Sequence, residues 1–145
     1  MPNLYLFVYG TLMSAFQNEM ARHFHQNANL IGEARMRGFL YRVSWYPGAV
    51  MIPNDSSLNN NQWVYGELWV LKEHALFDAL DRYEECSAQD ALPHEYQRVL
   101  QAIEVIGLHR TLDAWVYLYQ KPVDALEQIT AGRFRPQQAN LDEPK

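Results

Sequence analysis

Strand-like and helix-like segments occur together along this chain of 145 residues, and the pattern predicts a single α+β domain. Two observations carry that expectation. Runs such as Leu4-Tyr5-Leu6-Phe7-Val8-Tyr9 and Trp63-Val64-Tyr65-Gly66-Glu67-Leu68-Trp69-Val70-Leu71 are rich in β-branched and aromatic residues, as strands are. Elsewhere apolar residues recur at helical spacing, first at Phe16, Met20 and Phe24 and later at Leu76, Phe77, Leu80 and Tyr83. A hydrophobic content of 48% is ample for one core at this length.

Taken in order, the first strand stops at Gly10, and a short amphipathic helix is expected over residues 14–26 with Ser14 as its N-cap. A rough alternation from Leu30 to Ser44 reads as a strand, Tyr46-Pro47-Gly48 as a turn, and Ala49-Val50-Met51-Ile52 as the returning strand. Residues 54–62 are a polar, asparagine-rich loop, and the strand over residues 63–71 follows. A helix is expected from Lys72 to about Glu85, then a loop through Pro93, then strands over 96–105 and 111–119. Pro122 can open a last short helix that Gly132 ends, which gives a domain over residues 1–132 and a polar tail over 133–145.

Composition excludes several function classes. With 17 Asp and Glu against 12 Lys and Arg and no dense basic run, nucleic acid is not an expected partner. Cys86 is the lone cysteine, so no intramolecular disulfide forms, and with His23 and His25 it matches no zinc spacing; neither metal nor cofactor is expected. No run is long enough for a membrane span or a signal-peptide core, which together with the free thiol suits a cytoplasmic protein. Oligomeric state is not readable from these features.

Two features carry chemistry. The junction Val8-Tyr9-Gly10-Thr11-Leu12 ends a buried strand in a tight loop, where successive backbone N–H groups can cradle a carboxylate, phosphate or carbonyl oxygen, although the same pattern also describes a plain turn. The second is Glu84. Counted at 100° per residue it falls in the apolar arc between Tyr83 and Phe77, whereas Asp78, Asp81, Arg82 and Glu85 make a solvated flank. Burial of such a carboxylate raises its pKa toward the range useful for a general base or acid; the bland alternative is a half-covered boundary glutamate bonded to an arginine or a backbone group.

These residues, in this order, resemble the gamma-glutamylcyclotransferase-like superfamily, and more closely its gamma-glutamylamine cyclotransferase and bacterial small-protein branch. Val8-Tyr9-Gly10-Thr11-Leu12 matches the family's Tyr-Gly-Ser/Thr-Leu loop, and Leu80-Asp81-Arg82-Tyr83-Glu84 matches its Leu-Asp-x-x-Glu-Gly helix end. Supporting matches are Gly38-Phe39-Leu40-Tyr41, Tyr46-Pro47-Gly48, Val64-Tyr65-Gly66-Glu67-Leu68-Trp69, Tyr96-Gln97-Arg98, Ala114-Trp115-Val116-Tyr117 and Ile129-Thr130-Ala131-Gly132. The chain departs from the family in carrying Glu85 where a glycine usually follows the catalytic glutamate.

The resemblance implies a small mixed, partly closed β-barrel with short helices packed outside. It also implies conversion of a gamma-glutamyl amine or peptide to 5-oxoproline plus free amine, with no cofactor. Glu84 takes the role of general base and then acid, Tyr9, Gly10, Thr11 and Leu12 cradle the glutamyl group, and Tyr96 and Tyr117 match family tyrosines near the pocket. Two alternatives remain. One is a non-catalytic small-ligand-binding module of the same fold, favoured by Glu85; the other is an acyl transferase or amidase using Cys86 with His94 as base. His23 and His25 point to different helix faces, and Arg37, Arg42 and Arg98 are available for a substrate carboxylate or Glu67, with surface or cross-strand pairing the plainer use.

Overall fold

In a computed structural model, described over residues 3–52, 62–84 and 92–135, the strand runs close into a ring. The strand β1 (Tyr5–Val8) lies antiparallel to β4 (Trp63–Leu71) and parallel to β6 (Arg110–Tyr119), so it is covered on both sides and reads as an unbroken apolar run. The long strand β2 (Ala28–Arg42) pairs with β4, and β5 (Tyr96–Val105) pairs along its whole length with β6. A two-residue seam, Ala34 opposite Val105 and Arg35 opposite Glu104, joins β2 to β5 and closes the five-strand mixed barrel. The expected small mixed barrel with helices outside is therefore observed, and its partial closure has a location in this short seam.

Alternation along β2 decides which side chains enter. Ala34, Met36, Gly38 and Leu40 are buried while their neighbours are not, and a bulge between Leu30 and Gly32 resets the register toward the strand's start. Phe7, Tyr9, Met36, Leu40, Val64, Leu68, Ile103, Val105 and Val116 fill the interior. The other face of β1, Leu6 and Val8, belongs to an outer layer with Phe24, Trp69, Phe77 and Leu80, where the helices α1 (Glu19–Gln26) and α2 (Leu76–Tyr83) pack. Strand β3 (Pro47–Met51) forms a hairpin with the far end of β2.

Four expectations change. The first helix begins at Glu19, because the Asn18 side chain accepts the Ala21 N–H at 2.9 Å, whereas Ser14 turns away and bonds to Glu67. Pro47 and Gly48 open β3 and lie outside the turn expected there. The segment after Pro122 is not helical: Glu127–Gln128 forms β7, pairing with Tyr41 and Arg42. Gly132 ends no helix but adopts φ +74, where an added Cβ would meet the Trp63 carbonyl oxygen at 2.0 Å.

The packed core also runs past residue 132. Phe134 is 2% exposed and stacks on Phe16 with ring centroids 5.9 Å apart. Of the expected tail, residues 136–145 lie outside the described residues, as does most of the polar loop at 54–62. Among the described residues no helix is long and apolar enough to cross a membrane.

Candidate active site

Where β1 ends, the chain turns through Gly10, with the Met13 N–H donating to the Gly10 carbonyl at 3.1 Å. The next two carbonyls are also taken. Asn18 Nδ2 donates to the Thr11 carbonyl at 2.8 Å, and His25 Nε2 donates to the Leu12 carbonyl at 2.8 Å while its ring stacks on Trp69. With its oxygens tied back in this way, the loop is left with the N–H groups of Gly10, Thr11 and Leu12, which have no protein acceptor among the described residues. Such a run of donors is an anion cradle in the making. Gly10 itself is needed for a reason other than turning: a Cβ there would stand 2.9 Å from the Pro47 ring.

All four loop residues, Tyr9, Gly10, Thr11 and Leu12, line a cavity of about 110 Å³, and Glu84 lines it from the opposite element. Glu84 is the residue on which α2 ends, half-buried, with its own N–H bonded to the Leu80 carbonyl at 2.9 Å. Loop and helix end are joined directly, by a 2.9 Å hydrogen bond between the Thr11 and Tyr83 hydroxyls. The remaining wall comes from Trp45 and Tyr46 in the β2–β3 turn, Pro47 at the start of β3, Glu95 just before β5, Tyr96 at its start and Tyr117 on β6.

The tyrosines hold the wall through commitments within the protein. Tyr9 donates to the Tyr117 carbonyl at 2.5 Å and accepts the Ala49 N–H at 3.1 Å; Tyr96 donates to the Pro47 carbonyl at 2.6 Å; Tyr117 donates to Asp81 at 2.6 Å. Burial, and then the charge of Glu84, raises the pKa of Tyr9 above its ordinary value. For Tyr96 burial again comes first, followed by Tyr9, Glu84 and Glu95; for Tyr117 it is burial, then the hydrogen bond to Asp81. All three phenols therefore stay protonated at neutral pH, and their rings line the cavity while their protons are spent on neighbours.

Asp81 overturns the expectation of a solvated flank. It receives Arg98 Nε at 2.9 Å and Nη2 at 3.2 Å as well as the Tyr117 hydroxyl, and its side chain is only 19% exposed. This clamp ties α2 to β5 and β6 one turn before Glu84. Arg98 also lies over the rings of Phe77 and Trp115, at 4.2 and 4.6 Å. It is thus occupied by Asp81 rather than by Glu67, which instead binds Ser14 and the Trp69 indole. No sequence signal announced this clamp, because its partners lie on β5 and β6, and none announced Asn18, His25, Trp45 or Glu95 as parts of the site.

Glu85 and Cys86, on which the alternative readings turned, lie outside the described residues. Among the described residues, no group of three or more His, Cys, Asp or Glu is placed to hold a metal.

A closed five-strand barrel with a loop-and-carboxylate cavity defines a recognisable class, and comparison with known proteins names it. Residues 6–136 match the model of the family described as gamma-glutamyl cyclotransferase, AIG2-like, and the chain belongs to that family. It is 32% identical over 128 residues to the gamma-glutamylcyclotransferase family protein YtfP of Escherichia coli K12, covering 88% of this chain and 92% of the relative. The solution structure of the E. coli protein ytfP superposes with a TM-score of 0.61 at 29% identity, over 92% of this chain and 97% of the other. An AIG2-like protein from Mus musculus shares the fold, with a TM-score of 0.58 at 21% identity over 92% and 95% of the two chains.

Proposed function

We propose that this protein is a gamma-glutamyl cyclotransferase that converts a gamma-glutamyl amine or peptide to 5-oxoproline and the free amine. One observation carries the reading: three consecutive N–H groups without a protein acceptor among the described residues share a small cavity with a half-buried carboxylate. The family to which the chain belongs supports it.

The chemistry follows from these parts. The substrate's α-ammonium must lose a proton before its nitrogen can attack, and Glu84 removes it. The nitrogen then forms a bond to the γ-carbonyl carbon, whose π electrons move onto oxygen. That oxyanion, or the α-carboxylate of the same glutamyl group, is held by the N–H groups of Gly10, Thr11 and Leu12. Collapse of the tetrahedral intermediate breaks the bond to the leaving nitrogen, which takes the proton back from Glu84; the ring nitrogen then gives its second proton to the regenerated Glu84 carboxylate, which passes it to the released amine and leaves a neutral lactam beside an ammonium. Nucleophile and electrophile belong to one molecule, so holding the chain folded supplies several kcal/mol of the acceleration in favourable cases. The aromatic wall of Tyr9, Tyr96 and Tyr117 gives that folded shape its mould.

Incubation with gamma-glutamyl amines and dipeptides, read for 5-oxoproline by mass spectrometry, tests the proposal. Glu84→Gln is expected to lose about 10²-fold or more in kcat/KM, the usual contribution of a general base. Cys86→Ala retains turnover. Loss in the Cys86 variant with retention in the Glu84 variant would overturn the assignment.

A further inference from the structure

The cyclotransferase reading says what happens to the glutamyl half, and the far wall of the cavity bears on the amine that departs. There Glu95 stands half-buried immediately before β5 and accepts the Tyr46 hydroxyl at 2.7 Å through Oε2. Tyr46 in turn packs edge-on against Trp45, ring centroids 5.3 Å apart at 87°, and tilts over Tyr96 at 6.2 Å. A carboxylate steadied by a phenol, next to two aromatic rings, is a setting for a cation: it offers a charge partner together with π faces.

Charge balance points the same way. Among the described residues lining the cavity there are two carboxylates, Glu84 and Glu95, and no lysine, arginine or histidine. In the proposed reaction the substrate's α-ammonium engages Glu84, and the loop N–H groups take the one anionic group. A second anion on the amine half meets no cation among the described lining residues, whereas a second cation meets Glu95. Burial first, and then the charges of Tyr9, Glu84 and Glu95, raise the pKa of the Tyr96 phenol, so both carboxylates act on the same part of the cavity wall.

We infer that Glu95, held by Tyr46 beside Trp45, selects gamma-glutamyl amines whose leaving half carries a positive charge a few bonds beyond the scissile nitrogen. The inference rests on the cyclotransferase reading, and its test separates the two. Three amides of matched length serve as probes: gamma-glutamyl 1,4-diaminobutane, gamma-glutamyl n-pentylamine and gamma-glutamyl 4-aminobutyrate. The cationic amide is expected to exceed the neutral one in kcat/KM by about tenfold, as a partly desolvated charge pair allows, with the anionic amide last. Glu95→Gln brings the cationic-to-neutral ratio to about one, and Glu95→Lys makes the anionic amide the best of the three. A wild-type enzyme that does not prefer the cationic amide, or a preference that survives Glu95→Gln, overturns the inference. Should none of the three yield 5-oxoproline, the cyclotransferase reading fails, and calorimetric binding of the same amides decides the inference alone. Tightest binding of the cationic amide, lost in Glu95→Gln, supports it; equal or absent binding overturns it.

Discussion

Glu84 shares its cavity with three tyrosines that stay protonated beside it. Tyr9, Tyr96 and Tyr117 are buried or nearly so, and in each the pKa is raised first by burial, with the Glu84 charge adding to it. The consequence for stability has a definite sign. Unfolded tyrosines titrate near 10.0, while the folded chain keeps these phenols protonated, so the native state binds more protons at alkaline pH. Stability is complete below pH of about 10 and declines above it by ~1.4 kcal/mol per pH unit for each such tyrosine. Urea unfolding followed from about pH 9 upward should show that decline, and Tyr117→Phe should make it shallower by one tyrosine's share. An unchanged slope in the variant would contradict the burial of the Tyr117 phenol.

Helix α2 needs more than its apolar face to aim its last residue. Leu76, Phe77 and Leu80 bury it, and the Asp81 clamp to Arg98 and Tyr117 sets its rotation at the cavity end. Asp81→Asn is expected to cost about 2 kcal/mol, between the exposed and buried limits for ion pairs, and to lower kcat more than it raises KM. Thermal unfolding and steady-state kinetics on one preparation check both. Equal kcat with lower stability would make the clamp a support of the fold alone. The same clamp marks where the sequence stops being readable: angular counting from Lys72 set Glu84 on the side that lines the cavity, but Asp81 looked solvated because its partners lie on β5 and β6. Ser14 misled for the same reason, since Glu67 on β4 captures the hydroxyl that would otherwise cap a helix. Strand β4 was legible to the residue because its composition and burial agree along its whole length, whereas β7 is two residues long and exists only through its pairing with β2.

At the scale of the whole molecule, the barrel sets the distance between cradle and carboxylate. β1 lies in its wall between β4 and β6 with side chains packed on both faces, so the loop that follows has a rigid root, and α2 packs in the outer layer against the same strand. The ring closes through only two residue pairs between β2 and β5. Phe134 joins the interior core from the end of the described chain by stacking on Phe16. Phe134→Ala is expected to destabilise the domain by about 3 kcal/mol, the range for emptying a buried aromatic site, which a shift in the urea midpoint would register. A neutral result would place Phe134 outside the cooperative core. The two most specific family motifs were legible because each is a short contiguous run, one at the exit of β1 and the other at the end of α2. In the proposed reaction the glutamyl nitrogen, rather than water, attacks the γ-carbonyl. Turnover of a gamma-glutamyl amine in ¹⁸O-labelled water tests it most directly: the predicted product is unlabelled 5-oxoproline, and labelled glutamate would contradict it.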